Sequence, residues 1–324
     1  MDGLSRARLD EILERSRGLR VAVVGDVMLD VYLVGNVTRI SPEAPVPVVH
    51  VTEERHALGG AANVAANVVA IGAGCRLVGI VGRDDAGARI HAGLTGGGVD
   101  ARLVERAGRP TTTKTRVMAR HQQVVRYDRE DGSDLPDDCA GELCDTVRAA
   151  IAGADALVLE DYNKGVLVPA VIRAALDAAA HAGIPSVVDP KFRHFLEYRG
   201  ATVFKPNALE LGAALGTAVR PQDDAWLEDA RTTVGARHLL LTLGEDGMAL
   251  RSDDGPTFRI PTRAREVYDV SGAGDTVTAF VAVALAAGAT MREAAVLANL
   301  AAGIEVAKPG VAVVTPGELR AMLA

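Results

Sequence analysis

Cysteine and aromatic residues are scarce in this chain of 324 residues, which has three Cys, one Trp, five Tyr and five Phe. Cys75, Cys139 and Cys144 form no C-x-x-C pair, so a disulfide framework is excluded and reduced, mostly buried thiols are expected. The seven His show no H-E-x-x-H or related zinc spacing. No G-x-x-x-x-G-K-[ST] occurs, which argues against a P-loop nucleotide site, and Gly25-Asp26-Val27 does not open the dinucleotide pattern G-x-G-x-x-G. An excess of positive charge is missing too: 35 Lys and Arg stand against 42 Asp and Glu, net −7, a poor fit to nucleic acid or an anionic membrane. No apolar run approaches the roughly 18–20 residues of a membrane span. The richest, Ala279–Ala289, reads as a buried helix. Met1–Arg20 is a charged amphipathic helix without the apolar core of a secretory signal. Together these absences lead us to expect a cytoplasmic protein with no membrane or nucleic-acid partner.

What is present is a globular composition, 48% hydrophobic, on a chain long enough for a sizeable core. Short apolar runs alternate with helical segments. Val21–Gly25, Leu77–Val81, Ala156–Leu159, Ile184–Val188, Thr202–Phe204 and Leu239–Leu243 read as strands. Ala61–Ile71, Ala140–Ala152, Pro169–Ala182, Leu209–Leu215, Ala273–Ala287 and Met291–Val306 read as helices. This is the pattern of an α/β fold, a doubly wound, mostly parallel sheet with helices on both faces. In such sheets ligands bind beyond the carboxyl ends of the strands. Two segments break the alternation: Val31–Val51 with Pro42, Pro45 and Pro47, and Thr111–Arg129, rich in β-formers. They are expected to form a small antiparallel sheet, a lid over about residues 31–55 and 110–130, on one domain covering 1–324.

The motifs stand just after the apolar runs. Asp269-Val270-Ser271-Gly272-Ala273-Gly274-Asp275-Thr276 precedes an apolar helix. The amides of Gly272, Ala273 and Gly274 can approach an anion closely at a helix N-terminus. Asp275 in the first turn would repel that anion unless it has a task, such as taking a proton from an attacking hydroxyl. The plainer alternative is an acid that stabilises the helix start. Gly59-Gly60-Ala61-Ala62-Asn63 pairs close backbone approach with an amide suited to hydroxyls, or is a tight turn with an Asn cap. Asp30, in Gly25–Asp30, could bind two hydroxyls of a polyol or be a solvated turn residue. Asn207 and Glu210 face one way at a helix start, suiting Mg²⁺ held through water or a capping box. Glu160–Gly165, Asp189-Pro190-Lys191 and Thr242–Gly247 each follow a strand. From Arg109 to Arg129 six cations stand against the single acid Asp128, a candidate phosphate-binding face or a solvated strand. Arg116, Arg120 and Arg126 share parity there, with Lys191, Arg193 and Arg39 as competitors.

These motifs, in this order, resemble the ribokinase-like (PfkB) carbohydrate kinases from about Val21 to Thr315. GDVMLD, TRISPEAPVPVV, GGAANVA, TKTRV, HQQVVRYDRE and EDYNKG are most similar to the members that phosphorylate O1 of D-glycero-β-D-manno-heptose 7-phosphate. The resemblance implies an ATP-dependent sugar-phosphate kinase of ADP-heptose and lipopolysaccharide synthesis. By position it implies Asp275 as catalytic base and Gly272, Ala273 and Gly274 as anion hole. It makes Asp30, Gly59, Gly60 and Asn63 sugar-binding, joined by Lys114, Arg116, Arg120 and Asp161 as substrate candidates. Lys191, Asn207, Glu210, Thr242 and Gly244 become nucleotide positions, with Asn207 and Glu210 acting through Mg²⁺. Asp269, Ser271, Lys308 and Gly310 match a monovalent-cation (K⁺) loop, although Val314 stands where some relatives have Ser. The implied assembly is a homodimer through the lid strands. No H-x-G-H signature follows the kinase region, so the stand-alone form is expected. The alternatives within the fold are a ribokinase, fructokinase, phosphofructokinase or adenosine-type kinase. Outside it stands a sugar-responsive regulator without catalysis.

Overall fold

The computed structural model describes residues 4–119, 122–263 and 267–323. The chain opens with α1 (Arg6–Ser16), capped by Ser5, whose side chain accepts from Arg8 N–H. Leu9, Ile12, Leu13 and Ser16 recur at helical spacing and are its buried stripe. β1 (Arg20–Gly25) is buried at every residue after Arg20. β2 (Val27–Ile40) and β3 (Pro47–Gly60) form a long hairpin, and the Gly59-Gly60 pair leads directly into α2 (Ala61–Ile71). β4 (Gly74–Gly82), α3 (Asp85–Gly96) and β5 (Asp100–Arg106) follow, then a second hairpin of β6 (Thr113–Ala119) and β7 (Gln122–Arg129). The remaining chain alternates: α4 (Asp137–Ile151), β8 (Ala156–Glu160), α5 (Pro169–Ala182), β9 (Ser186–Asp189) and β10 (Val203–Phe204). Next come α6 (Ala208–Leu215), α7 (Asp224–Val234), β11 (His238–Thr242), β12 (Met248–Ser252) and β13 (Phe258–Ile260). The Ala-rich α8 (Ala273–Ala286) and α9 (Met291–Glu305) and the short α10 (Pro316–Met322) close it.

Nine strands form one sheet in the order β13-β12-β11-β10-β9-β8-β1-β4-β5. The pairings from β5 across to β11 are parallel, and β12 and β13 add an antiparallel edge. A strand buried on both sides needs cover on both faces, and β1 shows it: Val21 and Val23 join one core, Ala22 and Val24 the other. The first core holds α1, α2, α3, α8 and α9, the second α4, α5 and α7. Each fully buried aliphatic side chain in these layers contributes about 1.5–3 kcal/mol. α8 is buried from Asp275 to Ala284, because its small side chains let neighbouring helices pack closely. The strand order reverses between β1 and β8, and that reversal opens a crevice at their carboxyl ends.

The second sheet has the order β3-β2-β6-β7. It departs from the expected antiparallel arrangement at its centre, where β2 and β6 run parallel, Leu29 opposite Thr113 and Arg116 opposite Tyr32. The reason is the intervening β4-α3-β5 unit, a crossover that returns the chain in the same direction, as parallel neighbours require. Pro42 and Pro45 lie in the turn between β2 and β3, off the hydrogen-bonded ladder. Among the described residues, no helix is long and apolar enough to cross a membrane.

Candidate active site

Asp275 lies in the first turn of α8, facing the crevice, and is 2% exposed. Asn63 Nδ2, from α2, donates to its Oδ2 at 2.8 Å, and the Tyr162 hydroxyl donates to its Oδ1 at 2.7 Å. Burial pushes the carboxyl up to about 6, against the pull of those two hydrogen bonds, with Asp189 adding repulsion. Asn63 is fixed in turn: its side-chain oxygen accepts from Asn67 Nδ2 at 3.1 Å, and Asn67 Oδ1 accepts from Val314 N–H at 3.2 Å. The glycines expected to permit close approach do so. A Cβ on Gly59 would stand 2.3 Å from Asp30 Oδ2, and one on Gly272 (φ 94°) 2.9 Å from Asn63 Nδ2. Gly272 is the N-cap of α8, whose first-turn amides open toward the crevice. Ala273 N–H also makes a long contact back to Val270 O, at 3.4 Å.

Behind Asp275 lies a group that the motifs did not reveal. Carboxylate oxygens of Glu160, Asp189 and Asp275 lie within 4.8 Å of one another. Buried Lys205 places Nζ 2.7 Å from Asp189 Oδ2. Burial opposes the Lys205 charge, but Asp189 and Glu160 hold it up. Glu160 is fully buried, and burial followed by the charges of Asp189 and Asp275 drives its carboxyl well above the usual range.

All five residues expected at the nucleotide come together. Lys191, Asn207, Glu210, Thr242 and Gly244 line one cleft of about 790 Å³ with Tyr162, Gly272, Ala273 and Gly274. Its far wall is apolar, with Met248, Val267, Val270 and Val306. Asn207 and Glu210 do form a capping box: Asn207 Oδ1 accepts from Glu210 N–H at 2.8 Å and Glu210 Oε2 from Asn207 N–H at 2.9 Å. Glu210 Oε1 also pairs with Lys191 Nζ. Burial disfavours the Lys191 ammonium, but the Glu210 carboxylate outweighs it.

The second sheet supplies the other wall. Residues directly paired across strands share a face. Asp30, Tyr32, Lys114, Arg116, Arg126 and Asp128 therefore lie together. Most cations of this stretch are committed. Arg116 pairs with Asp30, Arg126 with Asp128 at 3.1 Å, and Arg109 donates to the carbonyls of Asp131 and Ser133. Arg193 pairs with Asp134 at 2.6 Å. Lys114 forms no ion pair among the described residues; it lies 4.9 Å from the centroid of the Tyr162 ring, and burial pushes its ammonium down. Arg120 lies outside the described residues.

One expectation needs correction. Asp161 does not reach the crevice: it is buried, accepting from the Tyr198 hydroxyl and from Asn163 N–H, both at 2.7 Å. Successive strand-end residues point to opposite faces, so Glu160 turns to the site and Asp161 to the second core. Asn63, expected at sugar hydroxyls, donates one amide hydrogen to Asp275 and accepts from Asn67, which leaves its second N–H uncommitted.

At the loop before α8, Asp269 Oδ1 accepts from Ser271 N–H at 2.9 Å. Lys308 turns away, to Glu318 and the Val313 carbonyl. Glu305 is the unforeseen neighbour. It is fully buried, neither carboxylate oxygen has good hydrogen-bond geometry to a partner, and Oε1 stands 3.2 Å from where a Gly272 Cβ would be. Burial, with Asp275 and Asp269, pushes it up to about 8, and the Ala312 backbone and Lys308 relieve it only in part.

The sequence profile of the pfkB family carbohydrate kinases matches residues 19–316. The bifunctional protein HldE of Caulobacter vibrioides is 50% identical over 310 residues, covering 94% of this chain and 63% of that protein. HldE of Trichlorobacter lovleyi is 44% identical over 321 residues, covering 98% and 65%. The chain thus spans somewhat less than two thirds of the length of these relatives. Arabidopsis thaliana ribokinase complexed with ribose and ATP superposes with a TM-score of 0.74 at 22% identity, covering 94% of this chain and 99% of that one. Escherichia coli phosphofructokinase-2 in complex with potassium gives 0.77 at 19%, covering 94% and 98%. The fold is therefore ribokinase-like.

Proposed function

The chain belongs to the pfkB family of carbohydrate kinases, and we propose that it transfers the γ-phosphoryl group of ATP to O1 of D-glycero-β-D-manno-heptose 7-phosphate. The product is the 1,7-bisphosphate, a precursor of ADP-heptose. The observation that carries the choice of a sugar phosphate is Lys114. It is a half-buried ammonium with no carboxylate partner among the described residues, resting on the tyrosine whose hydroxyl holds Asp275. Such a cation is suited to an acceptor that brings its own anion.

In this reading the anomeric hydroxyl lies against Asp275, which takes its proton as the oxygen attacks phosphorus, and ADP leaves. The α8 N-terminus faces the charge that develops on the transferring group, and Lys191 and Lys205 add positive charge beside it. Asp30 has one oxygen on Arg116, and in this reading the other accepts from a sugar hydroxyl. Glu210, beside the cleft and already paired with Lys191, suits the water shell of a Mg²⁺, which would neutralise the nucleotide phosphates. A monovalent cation beside Asp269 and Ser271 fits the poorly satisfied Glu305 carboxylate and would offset its charge. The second sheet serves as a lid that excludes water from the crevice. Its outer strands suit pairing with a second copy of the chain.

The test is a substrate panel of heptose 7-phosphate, ribose, fructose, fructose 6-phosphate and adenosine with Mg-ATP, in K⁺ and then in choline buffer, with phosphorus NMR of the product. The expected outcome is turnover of heptose 7-phosphate alone, faster in K⁺, with Lys114→Met raising its KM about tenfold or more. Preference for a neutral sugar, or an unchanged KM in that variant, overturns the sugar-phosphate assignment. Equal rates in the two buffers overturn the cation reading.

A further inference from the structure

Tyr162 stands where the two halves of the crevice meet. Its hydroxyl donates to Asp275 Oδ1 at 2.7 Å, and its ring lies 4.9 Å from Lys114 Nζ and 5.3 Å from Lys191 Nζ. We propose that Tyr162 is a positioning residue for the reaction, holding the Asp275 carboxylate ionised and aimed so that a free lone pair meets the acceptor hydroxyl.

The loop that carries Tyr162 is built for this. Buried Asp26 accepts from three consecutive-turn amides, Tyr162 N–H at 2.8 Å, Lys164 N–H at 2.9 Å and Val166 N–H at 3.2 Å. Asn163 sits at φ 55°, the one described non-glycine residue with a positive φ. Gly165 sits at φ 80°, where a Cβ would stand 2.0 Å from Ser133 O. A loop so constrained fixes the direction of the phenol. The opposite oxygen of Asp275 is fixed by Asn63, so the carboxylate is clamped from α2 and from the loop after β8. A hydrogen bond donated to the charged form favours that form, and here it works against burial and the nearby acids. Glu160, Asp189, Lys205 and Glu305 face the same carboxylate from β8, β9, the turn after β10 and α9. Replacement of the phenol leaves all four in place, along with the two lysines on the ring.

The inference rests on Asp275 as the base, not on the identity of the sugar. The experiment is the pH profile of kcat and kcat/KM for the wild type and Tyr162→Phe. It is joined by carboxyl-carbon NMR titration of the substrate-free proteins, with Asp275 assigned by its loss in Asp275→Asn. Loss of the donated bond moves the acid limb and the Asp275 titration up by about one pH unit. The rate below the limb then falls about tenfold, and the alkaline plateau falls less, by the share that aiming contributes. Fluorotyrosine at position 162, a stronger donor of nearly the same shape, moves both down. A residue that only packs leaves both profiles superimposed, and that result overturns the proposal. The NMR arm needs no substrate, so it remains decisive if heptose 7-phosphate proves not to be the acceptor.

Discussion

At the residue scale the proposed chemistry turns on one carboxylate in a contradictory environment. Asp275 is buried among acids, yet receives hydrogen bonds on both oxygens from Asn63 and Tyr162. Asp275→Asn keeps the shape and loses the base. It should lower kcat by about 10² to 10⁴ while sugar affinity changes little, measured by steady-state kinetics and calorimetric binding. In the wild type, activity should fall on the acid side near pH 6, as the carboxyl acquires a proton and can no longer accept one. The sign for stability runs the other way. A carboxyl raised from about 4 in the unfolded chain gives stability that is full below about pH 4 and lost as pH rises through its folded value. The variant should therefore melt no lower than the wild type at pH 7.5, which separates lost chemistry from lost fold; a lower melting temperature with proportionate loss of rate would sink the assignment. The glycines and Asp275 were legible because their signal is local. The bond from Asn63 to Asp275 was not, because the two lie 212 positions apart, and the Lys205–Asp189 pair and Glu305 leave no spacing signal at all.

At the element scale, the loop after β8 depends on a residue at the end of β1. Asp26 follows that strand and reaches across to bind three amides of the loop. Burial and Asp161 push its carboxyl up to about 6, and only those amides keep it from rising further. Asp26→Ala leaves the amides buried without acceptors. It should cost about 3 kcal/mol and lower Tm by roughly 5–10 °C, read by calorimetry. Because Tyr162 moves with the loop, kcat should fall as well. A variant with wild-type Tm and kcat would show that the loop is held elsewhere. The main strands and helices were legible to within a few residues, since buried β1, β8 and β11 are short apolar runs and α2 and α5 carry plain helical stretches. What escaped had mixed signals. α3 holds Gly87, Gly93 and Gly96, which weaken a helix, and is rescued by the Asp84 cap accepting from Gly87 N–H at 3.0 Å. The parallel β2–β6 pairing was illegible because register between distant segments is set by the crossover, not by either segment.

At the scale of the whole molecule, the second sheet has two unlike faces. Asp30, Lys114, Arg116 and Arg126 face the crevice. The alternate residues Leu33, Val117, Val125 and Tyr127 share the opposite face, and Val125 and Tyr127 there are 50% and 54% exposed. Every described residue of β7 is exposed, and Ile40 of β2, Val46 of the turn and Val51 of β3 are exposed too. A two-faced sheet with open edges is an association surface. In the proposed homodimer a second copy would satisfy it symmetrically, sheet against sheet, and leave the polar faces over their own crevices. The chain of 33.7 kDa should accordingly scatter light as a dimer at micromolar concentration. Val125→Lys with Tyr127→Lys should shift it to the monomer mass without changing the helical circular dichroism. Because the same strands carry Lys114 and Arg116, proposed to face the acceptor, the monomer should also bind the sugar phosphate more weakly, with KM rising and the ATP affinity unchanged. A wild type that scatters as a monomer at that concentration would leave the outer face without this role. The lid would then have to be held over the crevice by the pairing of β2, β3 and β6 within one chain.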